Sequence, residues 1–299
     1  MTIKLGTHPI AWTNDDMPEL GGDTPLETCL KEAREAGFVG VEKGGKFPNE
    51  PEALKAVLGR YGLELTSSWW SGELRRRSVE EEMEAMRPLM DLLKACGCKV
   101  MVWAETTGTV QGQRNTPVAD RPTMPEDEWP GYLKKLGQLA DRMAGEGVAM
   151  SFHHHMGTLV ERAHEVDRVM EGTPETVGLL FDTGHLTFAG DDPVPVARRW
   201  ASRVNHVHCK DVRPDVMRRA REERWSFLDS VVAGVFTVPG DGGAVDFAAA
   251  LQPIADAGYS GWVICEAEQD PAKAHPLTYA KKGYANLKAV CEQVGFKIA

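Results

Sequence analysis

The chain has 299 residues, 42% of them hydrophobic and 26% charged, and a formal net charge of −10. This is an ordinary composition for a folded protein with a sizeable core. Its acidic balance gives no electrostatic footprint for nucleic acid, which needs clustered Lys and Arg to displace counterions from phosphates, so no nucleic-acid partner is expected and a small or neutral ligand fits better. The opening MTIKLGTHPIAW carries no long apolar core. Nor does any run approach the ~18 apolar residues of a membrane span, so neither a secretory leader nor a membrane partner is expected. Cys29, Cys96, Cys98, Cys209, Cys265 and Cys291 form no CxxC pair. Reduced, buried thiols in a cytoplasmic protein are the expectation, and Cys96 with Cys98 makes only a weak metal pair.

The first predicted strand covers 3–7 and ends at His8. TPLETCLKEAREA then reads as a helix, capped by Asp23 or Thr24, with Pro25 in its first turn and Gly37 at its end. Strand two (38–42) ends at Glu42, with Lys43 and Lys46 beyond it. Strand three (63–69) ends in Trp69 and Trp70. Strand four (99–105) ends at Glu105 and leads into Thr106–Trp129, a long, polar, proline-broken stretch. Strand five (147–153) runs into His153, His154 and His155. Strand six (177–182) gives FDTGH, with Asp182 and His185. Strand seven (204–209) gives NHVHCKD, with His206, His208, Lys210 and Asp211. A second long stretch follows it over 212–247, where RRAREER reads as a solvated helix face. Strand eight (261–266) ends in CEAEQD, with Glu266, Glu268 and Asp270.

The runs are short, nearly all apolar and separated by helix-type segments that end in glycine. Strands buried on both faces of a parallel sheet have this pattern. Eight such units predict one (β/α)8 TIM-barrel domain spanning 1–299, with a doubly wound open sheet as the alternative. The two long stretches then lie on the C-terminal face, where Thr106–Trp129 is expected to act as a lid or a partner-chain contact.

Of nine histidines, all but His164 and His275 fall at or just after a predicted strand end. Unpaired ionisable groups are rarely buried, so imidazoles and carboxylates gathered on one rim point to a divalent metal with nitrogen and oxygen ligands. Strand alternation puts His206, His208 and Lys210 on one face, and Glu266 and Glu268 on one face. It pairs His153 with His155 and turns His154 away from the mouth.

DTGH on strand six, HVHCKD on strand seven and a glutamate ending strand eight resemble the xylose isomerase-like barrel superfamily. HPIAWTNDDMPELGGDTPLE, SFHHHMGTLVE, FDTGHLTFAGDDP and EAEQDPAKAHPLTYA are similar to stretches of its inosose dehydratase family. The resemblance covers nearly the whole chain. It implies one divalent metal, Mn or Co ahead of Zn, Fe or Mg, held by Asp182, His208 and Glu266. The strand-five ligand is either His153 or Glu161, and Glu161 is preferred because a third carboxylate suits Mn or Co. The implied reaction is loss of water from 2-keto-myo-inositol to give a trihydroxycyclohexane-dione, and the resemblance admits glutathione as a cofactor. Such chemistry needs a polarised ketone oxygen, a base, positive charge for the enediolate and an acid for the departing hydroxyl. His155 and His185 are the candidate acid and base, and Lys210 the candidate for oxyanion stabilisation. His8, Glu42, Lys46, Trp69 and His153 are candidate substrate contacts. A ketose isomerase or epimerase is the rival reading. An abasic-site endonuclease is disfavoured by the acidic charge, and a sugar-binding barrel by the density of ionisable groups. The expected partners are a polyol ketone and, in a homo-oligomer, further copies of the chain.

Overall fold

Strands with two apolar faces are stable only between two covering layers. The computed structural model, which describes residues 1–299, supplies both. Its strands are β1 (Thr2–Thr7), β2 (Gly40–Lys43), β3 (Glu64–Gly72), β4 (Val100–Glu105), β5 (Ala149–His153), β6 (Val177–Asp182) and β7 (Val204–Cys209), then the short β8 (Asp211–Val212) and β9 (Phe236–Thr237), β10 (Trp262–Cys265) and β11 (Lys297–Ile298). β1 to β7 and β10 pair in parallel order, and β10 closes on β1 through Leu5↔Val263 and Thr7↔Cys265. The eight predicted strands are therefore the eight staves of a closed TIM barrel. The largest departure is β3, which continues to Gly72 because Trp69–Gly72 pair with Val102–Glu105. The sequence reading contained none of the three short strands. β8 and β9 form an antiparallel ribbon, and β11 pairs with Thr2 and Ile3 beneath the barrel.

The helices are α1 (Leu26–Ala36), α2 (Pro51–Arg60), α3 (Val79–Ala95), α4 (Trp129–Gly145), α5 (Ala163–Glu171), α6 (Thr183–Ala189), α7 (Pro193–Trp200), α8 (Pro214–Glu222), α9 (Phe227–Val232), α10 (Phe247–Asp256) and α11 (Pro276–Gln293). Their ends follow from local chemistry. Ser78 and Glu81 form a reciprocal capping box on α3. Gly37 ends α1 at φ 116°, and a Cβ there would also meet the Tyr284 ring. Most of the apolar core lies between the barrel and this outer layer.

Inside the barrel the filling is different. Gly6, Gly40, Thr66, Ser151 and His206 replace the branched aliphatics usual in the fold. The insert carrying β8, α8, α9 and β9 packs a smaller apolar cluster of its own, including Val212, Phe227 and Phe236, on the C-terminal face.

Candidate metal centre and active site

The strand ends converge on a mouth of about 220 Å3. A larger cavity of about 440 Å3 opens at the opposite end, between the starts of β3, β4, β7 and β10. No carboxylate–imidazole group converges there, so chemistry is assigned to the mouth.

Asp182 ends β6 and caps α6, with Oδ1 accepting from the His185 backbone N–H at 2.8 Å. That leaves Oδ2 free. His208, on β7, faces it with Nδ1 at 3.6 Å, and Glu266, just past β10, lies against the same ring nitrogen. Ligand atoms of Asp182, His208 and Glu266 all lie within 4.8 Å of one another, and Asp182 shares a second such group with His153 and His185. His153 Nδ1 and Asp182 Oδ2 are buried without a hydrogen-bond partner, and His208 Nδ1 and Glu266 Oε2 are buried against each other alone. Convergence sets these atoms apart from other buried polar groups: they come from four successive barrel strands and make a candidate donor set. Two nitrogens and two carboxylate oxygens fit a borderline divalent cation.

Lys210 sits beside this set. Thr183 Oγ1 donates to its carbonyl at 2.8 Å, and a Cβ on Gly184 would lie 2.5 Å from its side chain. Thr183 and Gly184 of the DTGH motif therefore seat the lysine. Its ammonium lies 2.9 Å from Glu266 Oε1 and 2.9 Å from Glu268 Oε1. Burial opposes the charge, but Glu266, Glu268 and Asp182 override it and hold the pKa above the ordinary lysine value. Glu268 goes the other way. Burial and neighbouring Glu266 outweigh the pull of Lys210 and push its carboxyl up to about 7. Burial, reinforced by Lys210, lowers His155 to about 4, so its imidazole is neutral. His153 is also held neutral by burial and by neighbouring His155 and His208. Burial disfavours a charged His208, but Glu42 and Glu266 overcome it and raise that pKa well above the usual value.

The structure brings most of the sequence-predicted residues together. His8, Glu42, Trp69, His153, His155, His208, Glu266 and Glu268 all line the mouth. The Trp69 ring stands 5.5 Å from both His153 and His155. His154 does not line the mouth, and its Nε2 accepts from the Asp182 backbone N–H at 3.3 Å. His185 is fully buried behind the mouth, with its ring 3.9 Å from that of His155 and its Nε2 3.0 Å from the Lys210 ammonium and 3.7 Å from Glu268 Oε1.

Two expectations need correction. Glu161 does not join the donor set. Its carboxylate is paired with Arg121 at 3.3 Å and accepts from the Gly157 N–H at 2.8 Å. Lys46 is not a mouth lysine. Its ammonium donates to the carbonyls of Gly21, Gly22 and Thr24, which fixes the loop after β1. Lys43 lines the mouth instead.

Sequence reasoning missed several lining residues. Asp15 and Asp16 come from the loop after β1, Gln111 from Thr106–Trp129, and Phe227 from α9. The Phe227 ring lies 5.1 Å from His155 and stacks on His185 at 6.0 Å. No strand-end pattern signals such residues. Gln111 and Phe227 carry only the mark of membership in the two overlong connections, and Asp15 and Asp16 lie in the shorter loop after β1. Thr106–Trp129 reaches the mouth through Gln111 and is tied to its surroundings by Arg114 with Glu19 and Asp229 and by Arg121 with Glu161 and Glu165.

Comparison with known proteins agrees with the barrel fold. The family described as "Xylose isomerase-like TIM barrel" matches residues 30–290. The chain is 55% identical to the rhizopine catabolism protein MocC of Rhizobium meliloti, over 100% of this chain and 92% of that protein. It is 46% identical to the inosose dehydratase of Geobacillus thermodenitrificans, over 97% of each. Among solved structures, a zinc-bound IOLI protein superposes with a TM-score of 0.67 at 15% identity, over 98% of both chains.

Proposed function

The chain belongs to the xylose isomerase-like TIM-barrel family, and from that premise we propose that it is a metal-dependent hydro-lyase acting on an inosose. It converts 2-keto-myo-inositol to a trihydroxycyclohexane-1,2-dione and water. One observation carries the reading: buried imidazole nitrogens and carboxylate oxygens converge beneath a mouth that also holds a neutral imidazole and a carboxyl poised near neutrality. The 46% identity to an inosose dehydratase over 97% of both chains supplies the substrate class.

His153, Asp182, His208 and Glu266 are the ligands assigned to the cation, with Mn or Co as the ions the mixed set suits. Bound there, a cation supplies a Lewis acid for the ketone oxygen. The remaining roles fall to the chain's own residues. His155 takes the proton from the carbon beside the ketone, and the released electron pair forms the enediolate double bond. Lys210, held cationic, gives the enediolate a fixed positive field without proton transfer. Glu268 donates its proton to the departing hydroxyl, the C–O bond breaks, and water leaves. The resulting enol tautomerises to the dione. His155 Nε2 lies 4.0 Å from Glu268 Oε1, so the proton gained by the base has a short return path to the acid. Trp69 and Phe227 flank the reacting ring and exclude water, while His185 positions Lys210.

The test is direct. Purified protein is stripped with chelator, reloaded with Mn2+ or Co2+, and given inosose while dione absorbance is followed. Dione formation that depends on added metal is expected. Full turnover after chelation, or no dione with any metal, would overturn the reading. An epimerase would return an isomeric ketone with no loss of water, which product analysis separates. A second reading, a step in rhizopine catabolism, is favoured by the higher identity of 55% to MocC, and rhizopine-derived substrate assayed beside inosose decides between them. All six cysteines are free and five are buried, which supports a reducing cytoplasmic setting.

A further inference from the structure

The layer of the barrel directly beneath the donor set is mixed: Leu180 and Ile264 lie below Asp182 and Glu266, but small or polar residues fill the remaining positions. Gly6, Gly40, Ser151 and His206 lie two residues below His8, Glu42, His153 and His208 on their respective strands. Aliphatic side chains normally fill this layer and isolate the mouth from the barrel floor. Here a carboxylate stands on it. Glu42 is 2% exposed, and its Oε1 accepts three hydrogen bonds: from Ser67 Oγ, from His206 Nε2 at 2.8 Å and from His208 Nε2 at 3.2 Å. His208 therefore has both ring nitrogens committed, Nε2 downward to Glu42 and Nδ1 toward Asp182 and Glu266.

We propose that Glu42 and His206 are positioning residues that hold the His208 ring from below and thereby set the affinity of the mouth for a divalent cation. This rests on the metal-site reading given above. The physical reason is the tautomer. An imidazole that donates Nε2–H to a carboxylate keeps its Nδ1 lone pair for a cation, and the carboxylate raises the basicity of that lone pair. His206 is the floor of the device. Its Nε2–H holds the same Glu42 oxygen in place, and an apolar residue at that position would leave a buried carboxylate short of a donor. The alternative role for Glu42 is a substrate contact, since it also borders the mouth.

Metal affinity separates the two roles without any measure of turnover. Mn2+ and Co2+ are titrated into chelated full-length protein by calorimetry, for wild type, Glu42→Gln, His206→Phe and His206→Gln, with Asp182→Asn as control. Glu42→Gln and His206→Phe are expected to bind both ions ~10–100-fold more weakly, and His206→Gln, which keeps a donor, within about threefold of wild type. Should His206→Phe not fold, Glu42→Gln alone decides. A Glu42→Gln protein that binds both ions as tightly as wild type but shows a raised KM makes Glu42 a substrate contact and overturns the proposal. An Asp182→Asn protein with wild-type affinity overturns the metal-site reading itself.

Discussion

Two neighbouring histidines illustrate how little chemistry residue type alone decides. His154 and His155 are both buried and both lowered to about 4, chiefly by burial. Only His155 faces the mouth. His154→Gln is expected to keep most of the activity, since it loses one 3.3 Å contact to backbone. His155→Gln is expected to bind metal normally and lose ~10²–10⁴-fold in turnover, the usual contribution of a general base. Steady-state rates and metal content on both variants check this, and a dead His154→Gln beside an active His155→Gln would reverse the assignment. Glu268 makes the pH dependence explicit. As the acid it must be protonated, so activity is present below its pKa of about 7 and lost above it; His155 as base must be unprotonated, so activity is lost below about 4. The kcat/KM profile should be bell-shaped between those limits. Glu268→Gln should remove the alkaline limb along with most of the rate; a variant that keeps that limb unchanged would assign it to another group.

At the scale of elements, the connections decide more than the strands. Thr106–Trp129 stays at the mouth because Arg121 bridges it to Glu161 and Glu165 and donates to the carbonyls of Thr158 and Leu159. Both carboxylates are mostly buried. Arg121→Met leaves them unpaired, so a loss of ~3 kcal/mol in stability is expected by denaturant titration. Faster protease cleavage within 106–129 and a raised KM should accompany it. An Arg121→Met protein with unchanged protease resistance and KM would mean that the segment is held by its apolar contacts alone. The same pairing bears on Glu161: a carboxylate in the loop after β5 suits Mn or Co by its charge until its partner, distant in sequence, is known.

For the whole molecule, the barrel is the device that lets four strands bring donors to one point without backbone distortion. The cost is four buried polar atoms that satisfy one another poorly. A cation that binds only the folded chain should relieve this. At a thousandfold excess over its Kd it is expected to add ~4 kcal/mol of stability, seen as a rise in Tm. Asp182→Asn should abolish that rise. An equal rise in wild type and Asp182→Asn would place the ion elsewhere.

The amino-acid sequence alone determined the eightfold strand–helix repeat, the rim on which the ionisable groups gather and the faces that His206, His208 and Lys210 share. These are local properties, carried by apolar runs, helix-ending glycines and the two-residue period of a strand. Only the tertiary structure pairs Glu161 with Arg121 and brings His153 beside Asp182. It also decided that Lys46 ties down a loop, that Phe227 borders the mouth and that burial pushes the Glu268 carboxyl up to about 7. Each of these depends on distance and desolvation between residues far apart in the chain, and no local pattern encodes either.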